Sequence, residues 1–330
     1  MAAISATDVE LVYADGTRAV RGVSLEIPEG EFFGFLGANG AGKTTMIKTL
    51  VTLLRPTSGT ITVNGYDVTD RPRAVRSSIG YMAQETSIDE ELTARENIRF
   101  ACDAYGVRSA DRSERIDTLL DLVDLQAEAD SLAKSFSGGM KKRLDVATAL
   151  VHQPPVVFLD EPTTGLDPEA RNRLWDYFRT INDDGTTVFL TTQYLEEADQ
   201  LCDRISVIRD GTIVADGSPA ALKSTVGGDV IDITLTEPTP ETIQRARATI
   251  DAIEEAELSV EPTESGIAVT ASNAHSLGPE LITTLAESFE IAGFQTRSPT
   301  LDDVFLALTD ESNEHGNASS DAPMDLEADQ

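Results

Sequence analysis

Residues 37–44, GANGAGKT, combine glycines with a lysine and a threonine at a spacing that binds phosphate. The stretch fits G-x-x-x-x-G-K-[ST] in the required context, after the apolar strand candidate EFFGFLG and before the helical run TMIKTLVTLL. Glycines let the backbone curl with its N–H groups pointing at phosphate oxygens, and the N-terminus of the following helix favours an anion. The alternative, a glycine-rich turn with an accidental Lys-Thr pair, does not account for this context.

This loop predicts that the chain binds a nucleotide with a divalent cation. Lys43 would neutralise charge on the β- and γ-phosphates, and the Thr44 hydroxyl would ligate Mg²⁺. The predicted cofactors are ATP and Mg²⁺. The residues expected to bind the phosphates are Gly37, Ala38, Asn39, Gly40, Ala41, Gly42, Lys43, Thr44 and Thr45.

Two adjacent acids end the apolar strand candidate PVVFLD. Asp160, at the end of a buried strand beside a phosphate loop, is suited to hold Mg²⁺ directly or through water. Glu161 can then polarise the attacking water as a general base. The alternative is that both acids merely cap the turn before Pro162, which the phosphate loop and the strand disfavour.

Two other polar segments are ambiguous when each is taken alone. Gln193, in VFLTTQYLEEADQ, lies just past a buried strand, where open α/β sheets bind ligands, but it could equally cap the helix that follows. In FSGGMKKRLDVATAL, Ser137 can cap a helix whose first-turn N–H groups are bared by Gly138 and Gly139.

The elements that must position these residues alternate between strands and helices over residues 1–225. Strand candidates are ISATDVELVY, EFFGFLG, GTITVNG, SSIGYMA, PVVFLD, TTVFLTT, RISVIRDG and TIVADG. Apolar runs without alternation, as in VVFLD and VFLTT, are typical of central parallel strands covered on both faces. At about residues 85–151 the strand signals vanish and helical spacing predicts a helical subdomain.

A second domain is predicted at residues 229–309, after the linker candidate KSTVGGDV. Its elements follow the order strand, helix, strand, strand, helix, strand, which is the ferredoxin-like α+β arrangement. A short helix, LDDVFLALT, comes next. Residues 310–330 are polar and acidic, and we expect them to be a disordered tail.

Composition limits the classes of function. The 330 residues carry a formal net charge of −31, which argues against a nucleic-acid partner because such binding needs a basic surface. The cations are 20 Arg and 6 Lys, and this acidic, lysine-poor composition predicts adaptation to high salt; an ordinary acidic bacterial protein is the alternative. No signal peptide, membrane span, disulfide scaffold or zinc site is recognisable, so we expect a soluble, intracellular protein.

Several of these motifs occur in the order found in ATP-binding subunits of ABC transporters, which the chain resembles over about residues 3–222. Tyr13 follows the first strand, where the family stacks an aromatic ring on adenine, and Gln84 matches the glutamine that senses Mg²⁺ and water. Ser137-Gly138-Gly139 resembles the signature motif, although the usual flanking Leu and Gln are Phe136 and Met140 here. The stretch 165–167, Gly-Leu-Asp, matches the loop that communicates with the opposing subunit.

The segments FSGGM, TTQYLEEAD and PTLDDVFLALT further resemble the daunorubicin-resistance (DrrA) branch of this family, up to about Thr309. In that branch a glutamine is usual where most members have a histidine that contacts the γ-phosphate. Gln193 can donate an N–H to the same oxygen but cannot titrate. The resemblance implies an α/β P-loop NTPase of ABC type, with a mostly parallel central sheet, a helical insertion and the ferredoxin-like domain.

The function implied by the resemblance is ATP hydrolysis that energises a separate ABC-2 type permease, exporting drugs or other hydrophobic compounds. ATP would be sandwiched between the phosphate loop of one subunit and the signature segment of another, so a homodimer is expected. The permease would dock near Gln84 and the helical insertion, which would place the protein on the inner face of the membrane. The alternatives are a non-transport ABC protein acting as a mechanical or regulatory clamp, a P-loop kinase, and a subunit that binds ATP without hydrolysing it.

Overall fold

The computed structural model describes residues 2–226, 228–251, 258–271 and 274–307 of the chain. It divides into two compact units, with the boundary between Pro219 and Ala220. The acidic tail predicted at residues 310–330 lies outside the described residues. None of the helices in the described ranges has the length and apolar character needed to cross a bilayer.

The first unit contains both strands and helices, with three strands before the first helix where the sequence predicts alternation. Its strands are β1 (Ala2–Val12), β2 (Arg18–Pro28), β3 (Phe32–Leu36), β4 (Ser58–Val63), β5 (Tyr66–Asp67), β6 (Ile79–Met82), β7 (Val156–Asp160), β8 (Thr187–Thr192), β9 (Arg204–Arg209) and β10 (Thr212–Gly217). Its helices are α1 (Lys43–Leu50), α2 (Pro72–Ser77), α3 (Ala94–Ala104), α4 (Arg112–Leu122), α5 (Gly138–Ala149), α6 (Pro168–Asp183) and α7 (Leu195–Leu201), with a 3₁₀ turn at Ala133–Ser135.

The central sheet has the order β10-β9-β3-β8-β7-β6, and all its neighbouring pairs are parallel except β10 with β9. Every residue of β3, β7 and β8 is buried, as expected for strands covered on both faces. The register pairs Asp160 with Thr191 and Leu36 with Thr192. The carboxyl ends of three neighbouring strands therefore lie at one edge, where the phosphate loop begins.

A second sheet, with the order β2-β1-β4-β5, is antiparallel throughout. The strand candidates drawn from the sequence did not include β2. Its segment RAVRGVSLEIP does alternate, since Val23, Leu25 and Ile27 are buried between exposed neighbours. This strand shares one apolar core with α1 and with the aromatic rings of β3, so it helps to fix the position of α1.

The helical subdomain comprises α3, α4 and α5, which contact one another, as the loss of strand signals predicts. The helix α3 begins at a capping box in which Thr93 accepts from the Glu96 backbone N–H and the Glu96 carboxylate accepts from that of Thr93. At the start of α5, the Ser137 hydroxyl accepts from the Met140 backbone N–H at 3.3 Å. The capping role of Ser137 is thus present in the structure.

The second unit begins with α8 (Pro219–Ser224), whose first residue precedes the boundary, and contains one four-stranded sheet. Its further elements are β11 (Asp229–Leu235), α9 (Pro240–Asp251), β12 (Ser259–Thr263), β13 (Gly266–Ala271), α10 (Ala274–Ala286) and β14 (Ile291–Arg297). The sheet order is β12-β13-β11-β14 and every pair is antiparallel. The element order is the one predicted from the sequence.

Candidate functional site

The glycine-rich loop connects the end of β3 to the start of α1. Gly42 precedes α1 with φ of 113°, a left-handed backbone conformation that is strained for residues with a side chain. A Cβ at this position would lie 2.4 Å from the Ala19 carbonyl oxygen. A larger residue would therefore push the loop away from β2. The first helical N–H groups of α1 are left free to face an anion.

Lys43 is almost fully buried, and its Nζ is held at the mouth of this loop. It donates to the carbonyl oxygens of Gly37, at 2.7 Å, and Ala38, at 3.2 Å. It also lies 3.5 Å from Glu161 Oε1. The ammonium group thus sits between the loop backbone and the predicted general base, where it can exchange these neutral and acidic partners for phosphate oxygens.

Asp160 lies at the end of β7 and is buried beside two hydroxyl groups. Thr191 Oγ1 donates to Asp160 Oδ1 at 2.6 Å, and Thr44 Oγ1 lies 3.5 Å from the same oxygen. Burial raises the pKa of Asp160, which outweighs the lowering by the Thr191 hydroxyl, and the charge of Glu161 raises it further. A cation would offset this desolvation.

Glu161 has φ of 48°, in the left-handed region that residues other than glycine rarely adopt. Its backbone N–H donates to the carbonyl oxygen of Thr191, at 3.0 Å, which fixes the residue against β8. Its Oε2 accepts from Gln84 Nε2 at 3.4 Å and from Thr164 Oγ1 at 3.3 Å. Together with the Lys43 contact, these hydrogen bonds place the carboxylate between the phosphate loop, Gln84 and the turn that follows β7.

Most of the predicted site residues line one cavity of about 380 Å³. At its edge Tyr13, in the turn after β1, is exposed, and its hydroxyl lies 3.0 Å from Thr45 Oγ1. The cavity is lined by Tyr13, Thr17, Ala19, Asn39, Gly40, Gly42, Lys43, Thr44, Thr45, Gln84 and Glu161.

Gln193 lies outside this lining, exposed at the end of β8. The N-cap of α7 is Tyr194, so Gln193 is not the cap of that helix. The turn is instead held by Thr192 Oγ1, which accepts from the Tyr194 backbone N–H at 2.9 Å. Thr192, at the end of β8, pairs with Leu36, at the end of the neighbouring strand β3. Gln193 directly follows Thr192, and the phosphate loop directly follows Leu36, so the two start on adjacent strands.

The signature segment, Ser137-Gly138-Gly139, also lies outside the lining of the cavity. Ser137 and Gly138 are exposed at the start of α5. A Cβ on Gly139 would lie 3.0 Å from Ala170 Cβ in the first turn of α6, so the glycine permits a close approach of the two helices. A single chain therefore does not bring this segment to its own phosphate loop.

Two residues that support the site were missed from the sequence. Thr191 contacts both Asp160 and Glu161, and the strand register, once known, would have identified it. Lys142 Nζ donates to the Gln84 carbonyl oxygen at 2.7 Å and so holds the loop that carries this glutamine. Burial lowers the pKa of Lys142, and the charges of Asp145, Asp160 and Glu161 oppose that effect.

The residues present fit ATP with Mg²⁺. The cavity offers a buried ammonium group and the free N–H groups of a helix start to an anion. Mg²⁺ is bound in proteins by one or two carboxylates together with substrate phosphates and water. Thr44 and Asp160 supply one hydroxyl and one carboxylate oxygen on the same side, and the described residues contain no cluster of three acidic, histidine or cysteine side chains that would bind a metal alone.

Comparison with known proteins relates both units to one family. Residues 20–164 match the family described as ABC transporter, and residues 217–309 match the C-terminal domain of DrrA1-3-like ATP-binding proteins. The daunorubicin/doxorubicin resistance ATP-binding protein DrrA of Streptomyces peucetius is 43% identical over 314 residues, which cover 93% of this chain and 92% of that protein. The Nod factor export ATP-binding protein I of Burkholderia orbicola is 37% identical, over 94% of this chain and 97% of that one.

Solved structures support the same fold. The structure of an ATP-binding subunit of an ABC transporter aligns with a TM-score of 0.62 and 31% identity, covering 68% of this chain and 93% of the other. The dimeric post-hydrolysis state of an ATP-binding cassette with ADP and Pi aligns with a TM-score of 0.60 and 27% identity, covering 65% and 98%. These structures span the length of one ATP-binding unit.

Proposed function

The chain belongs to the ABC transporter ATP-binding proteins of the daunorubicin-resistance (DrrA) family, and from this membership we propose that it energises a separate membrane permease of ABC-2 type for the export of drugs or other hydrophobic compounds. It is an ATPase of the transporter class. The observation that carries the proposal is the likeness to the Streptomyces peucetius resistance protein over both units rather than over the ATP-binding unit alone.

The phosphate loop and Lys43 bind the phosphates of ATP in this proposal. Lys43 leaves the carbonyl oxygens of Gly37 and Ala38, its partners in the structure, for more strongly charged phosphate oxygens. Tyr13, exposed at the cavity edge, stacks on the adenine ring. Thr44 and Asp160 hold Mg²⁺, which when bound supplies positive charge to the phosphate oxygens.

Glu161 accepts a proton from the attacking water as general base. Its carboxylate is nearly buried and is already oriented by hydrogen bonds from Gln84 and Thr164. Little further free energy is therefore needed to orient it when the reaction occurs. Gln84 contacts this carboxylate through its side chain and Lys142 of α5 through its carbonyl oxygen. It can therefore transmit the binding of Mg²⁺ and water to the helical subdomain. Gln193 donates its amide N–H to a γ-phosphate oxygen.

Two copies of the chain form each complete site. The signature segment is exposed at the start of α5, apart from the cavity of its own chain. In a symmetric dimer the same segment of the partner can close the cavity, so each copy contributes to two sites. The exposed Phe100 on α3, with Gln84, marks the face on which the permease docks, and this places the protein at the inner face of the membrane.

The test is to identify a multi-span membrane protein encoded beside this chain and to reconstitute the two proteins together. Everted vesicles that contain both proteins should accumulate a fluorescent anthracycline when ATP is added, and vesicles with the Lys43→Ala chain should not. Equal, ATP-independent accumulation with both chains would contradict the proposal. ATP hydrolysis without drug accumulation in vesicles that contain both proteins would favour a clamp over an exporter.

A further inference from the structure

A buried carboxyl group lies behind the site without lining its cavity. Glu197, in the first turn of α7, is completely buried. Its Oε1 accepts a hydrogen bond from Trp175 Nε1 at 3.0 Å, and its Oε2 has no hydrogen-bond partner within the described ranges. Removing a carboxyl group from water is costly unless polar contacts offset the lost hydration. A fully buried one on a seven-residue helix therefore requires a reason.

The groups around Glu197 come from three separate segments of the first unit. Trp175 and Arg171 belong to α6, Thr163 to the turn after β7, and Thr192 to the end of β8. Burial raises the pKa of Glu197, and this outweighs the lowering by the side chains of Thr192, Trp175 and Thr163 and by the charge of Arg171. The two hydroxyls are close to the carboxyl group, although neither completes a hydrogen bond of ordinary geometry with Oε2.

Two of these segments carry a residue to which the proposed function gives a role, and the third, α6, follows the Gly-Leu-Asp stretch at 165–167 that resembles the loop communicating with the opposing subunit. Thr163 comes two residues after Glu161, and Thr192 immediately precedes Gln193. The helix α6 starts at Asp167, whose carboxylate caps it by accepting from the Ala170 backbone N–H at 2.9 Å. Glu197 thus stands where the segments of the general base, the γ-phosphate contact and the loop facing the partner subunit meet.

The position of Gln193 depends on its neighbours. Its side chain is exposed and makes no hydrogen bond with the described residues. On one side Thr192 is buried at the end of β8, and on the other the Tyr194 ring packs under the Arg171 guanidinium, 4.9 Å from its centre. Arg171 and Trp175 lie one turn apart on α6, so α6 anchors both Tyr194 and the carboxyl group that follows it.

We propose that Glu197 is a positioning residue that holds Gln193 and Glu161 in register with each other and with α6. It does so without touching the nucleotide, by joining α7 to the Trp175 indole and packing against the threonines beside the two catalytic segments. The inference rests on the proposed roles of Gln193 and Glu161. It adds a residue whose change should affect turnover more than ATP binding, because the phosphate loop and Lys43 lie on other elements.

The experiment compares kcat, KM for ATP and thermal stability in four variants of the full chain. Glu197→Ala removes the carboxyl group, and kcat should fall by about 10²-fold, the scale of a small misplacement of catalytic groups, with little change in KM. Glu197→Gln keeps an acceptor for Trp175 and offers an N–H to the threonine hydroxyls, so it should restore most of kcat. Trp175→Phe keeps an aromatic ring but removes the indole N–H that donates to Glu197. Its kcat should therefore fall, as in Glu197→Ala.

Leu201→Ala is the control for stability, because Leu201 is a buried apolar residue at the other end of α7. It should lower the melting temperature while leaving kcat near that of the wild type. If Glu197→Ala lowers the melting temperature like Leu201→Ala and keeps a wild-type kcat, Glu197 is only structural and the proposal is overturned.

Two further outcomes are decisive. If Glu197→Ala does not fold, an unchanged kcat in Trp175→Phe overturns the proposal and a reduced one supports it. Failure of the proposed function would give a different result. The wild-type chain would not hydrolyse ATP, or the Glu161→Gln and Gln193→Ala variants would have the same kcat as the wild type.

Discussion

Lys43 and Glu161 lie 3.5 Å apart in the buried wall of the cavity, yet they should respond differently to substitution. Lys43→Ala removes the charge that we propose neutralises phosphate, so the dissociation constant of a fluorescent ATP analogue should rise. Glu161→Gln keeps the shape of the side chain but removes the proposed base, so binding should persist while kcat falls by about 10²-fold or more. Fluorescence titration and single-turnover hydrolysis measure the two effects separately.

The Glu161→Gln chain should also accumulate as an ATP-bound dimer, which gel filtration would detect. A wild-type rate of hydrolysis in this variant would show that another group acts as the base.

Gln193 should distinguish ATP from ADP. It is exposed beyond β8 and is not the cap of α7, so its amide is available to a ligand. If it donates one hydrogen bond to a charged γ-phosphate oxygen, Gln193→Ala should weaken ATP binding by about 1.5–3 kcal/mol in the closed state. ADP lacks that oxygen, so its affinity should change much less.

The affinities for both nucleotides are best compared in a Glu161→Gln background, where hydrolysis does not interfere. Gln193→His is the matched control, since an imidazole N–H can reach the same oxygen and should preserve activity, with a pH dependence near neutrality. Equal losses for ATP and ADP in Gln193→Ala would assign the residue a purely structural role.

Among the elements, the second unit can be separated from the chemistry of the first. Every residue that lines the nucleotide cavity precedes the boundary at Pro219, and each unit has its own apolar core. A chain that ends after Thr225 should therefore fold and bind ATP with an affinity near that of the full chain. We expect the loss to appear in assembly, as a weaker ATP-dependent dimer or a failure to associate with the permease.

Isothermal titration of the truncated chain, together with gel filtration in the Glu161→Gln background, measures both properties. A truncated chain with a cooperative thermal transition but no ATP binding would mean that the second unit supplies part of the site.

At the scale of the whole molecule, charge should make stability depend on salt. The chain has 57 acidic side chains against 26 Lys and Arg. Repulsion among them destabilises the compact state in dilute buffer and is screened in molar salt, where the Debye length is about 3 Å. The melting temperature should therefore rise between dilute buffer and molar KCl.

A potassium-independent melting temperature would contradict the predicted adaptation to high salt without affecting the ATPase assignment. Sucrose at matched osmolality is the control, because it strengthens burial without screening charge.

The sequence by itself determined those features that depend on neighbouring residues. The curl of the phosphate loop requires glycines and the lysine at fixed spacing, so GANGAGKT could be recognised without a structure. The buried strands β7 and β8 follow from unbroken apolar runs, and they place Asp160 and Gln193 at strand ends. Local periodicity predicts the helical subdomain and the element order of the second unit in the same way.

Only the tertiary structure decided which distant side chains meet. The sheet register brings Thr191 to Asp160, and the packing of α7 against α6 buries Glu197 beside Trp175. The strand β2 was missed although Val23, Leu25 and Ile27 alternate with exposed residues, and the structure reveals it by its antiparallel pairing with β1. The segment FSGGM lies away from the cavity of its own chain because α5 belongs to the helical subdomain. Such contacts join residues far apart in the chain, and their geometry is set by packing of the whole unit rather than by any short stretch of sequence.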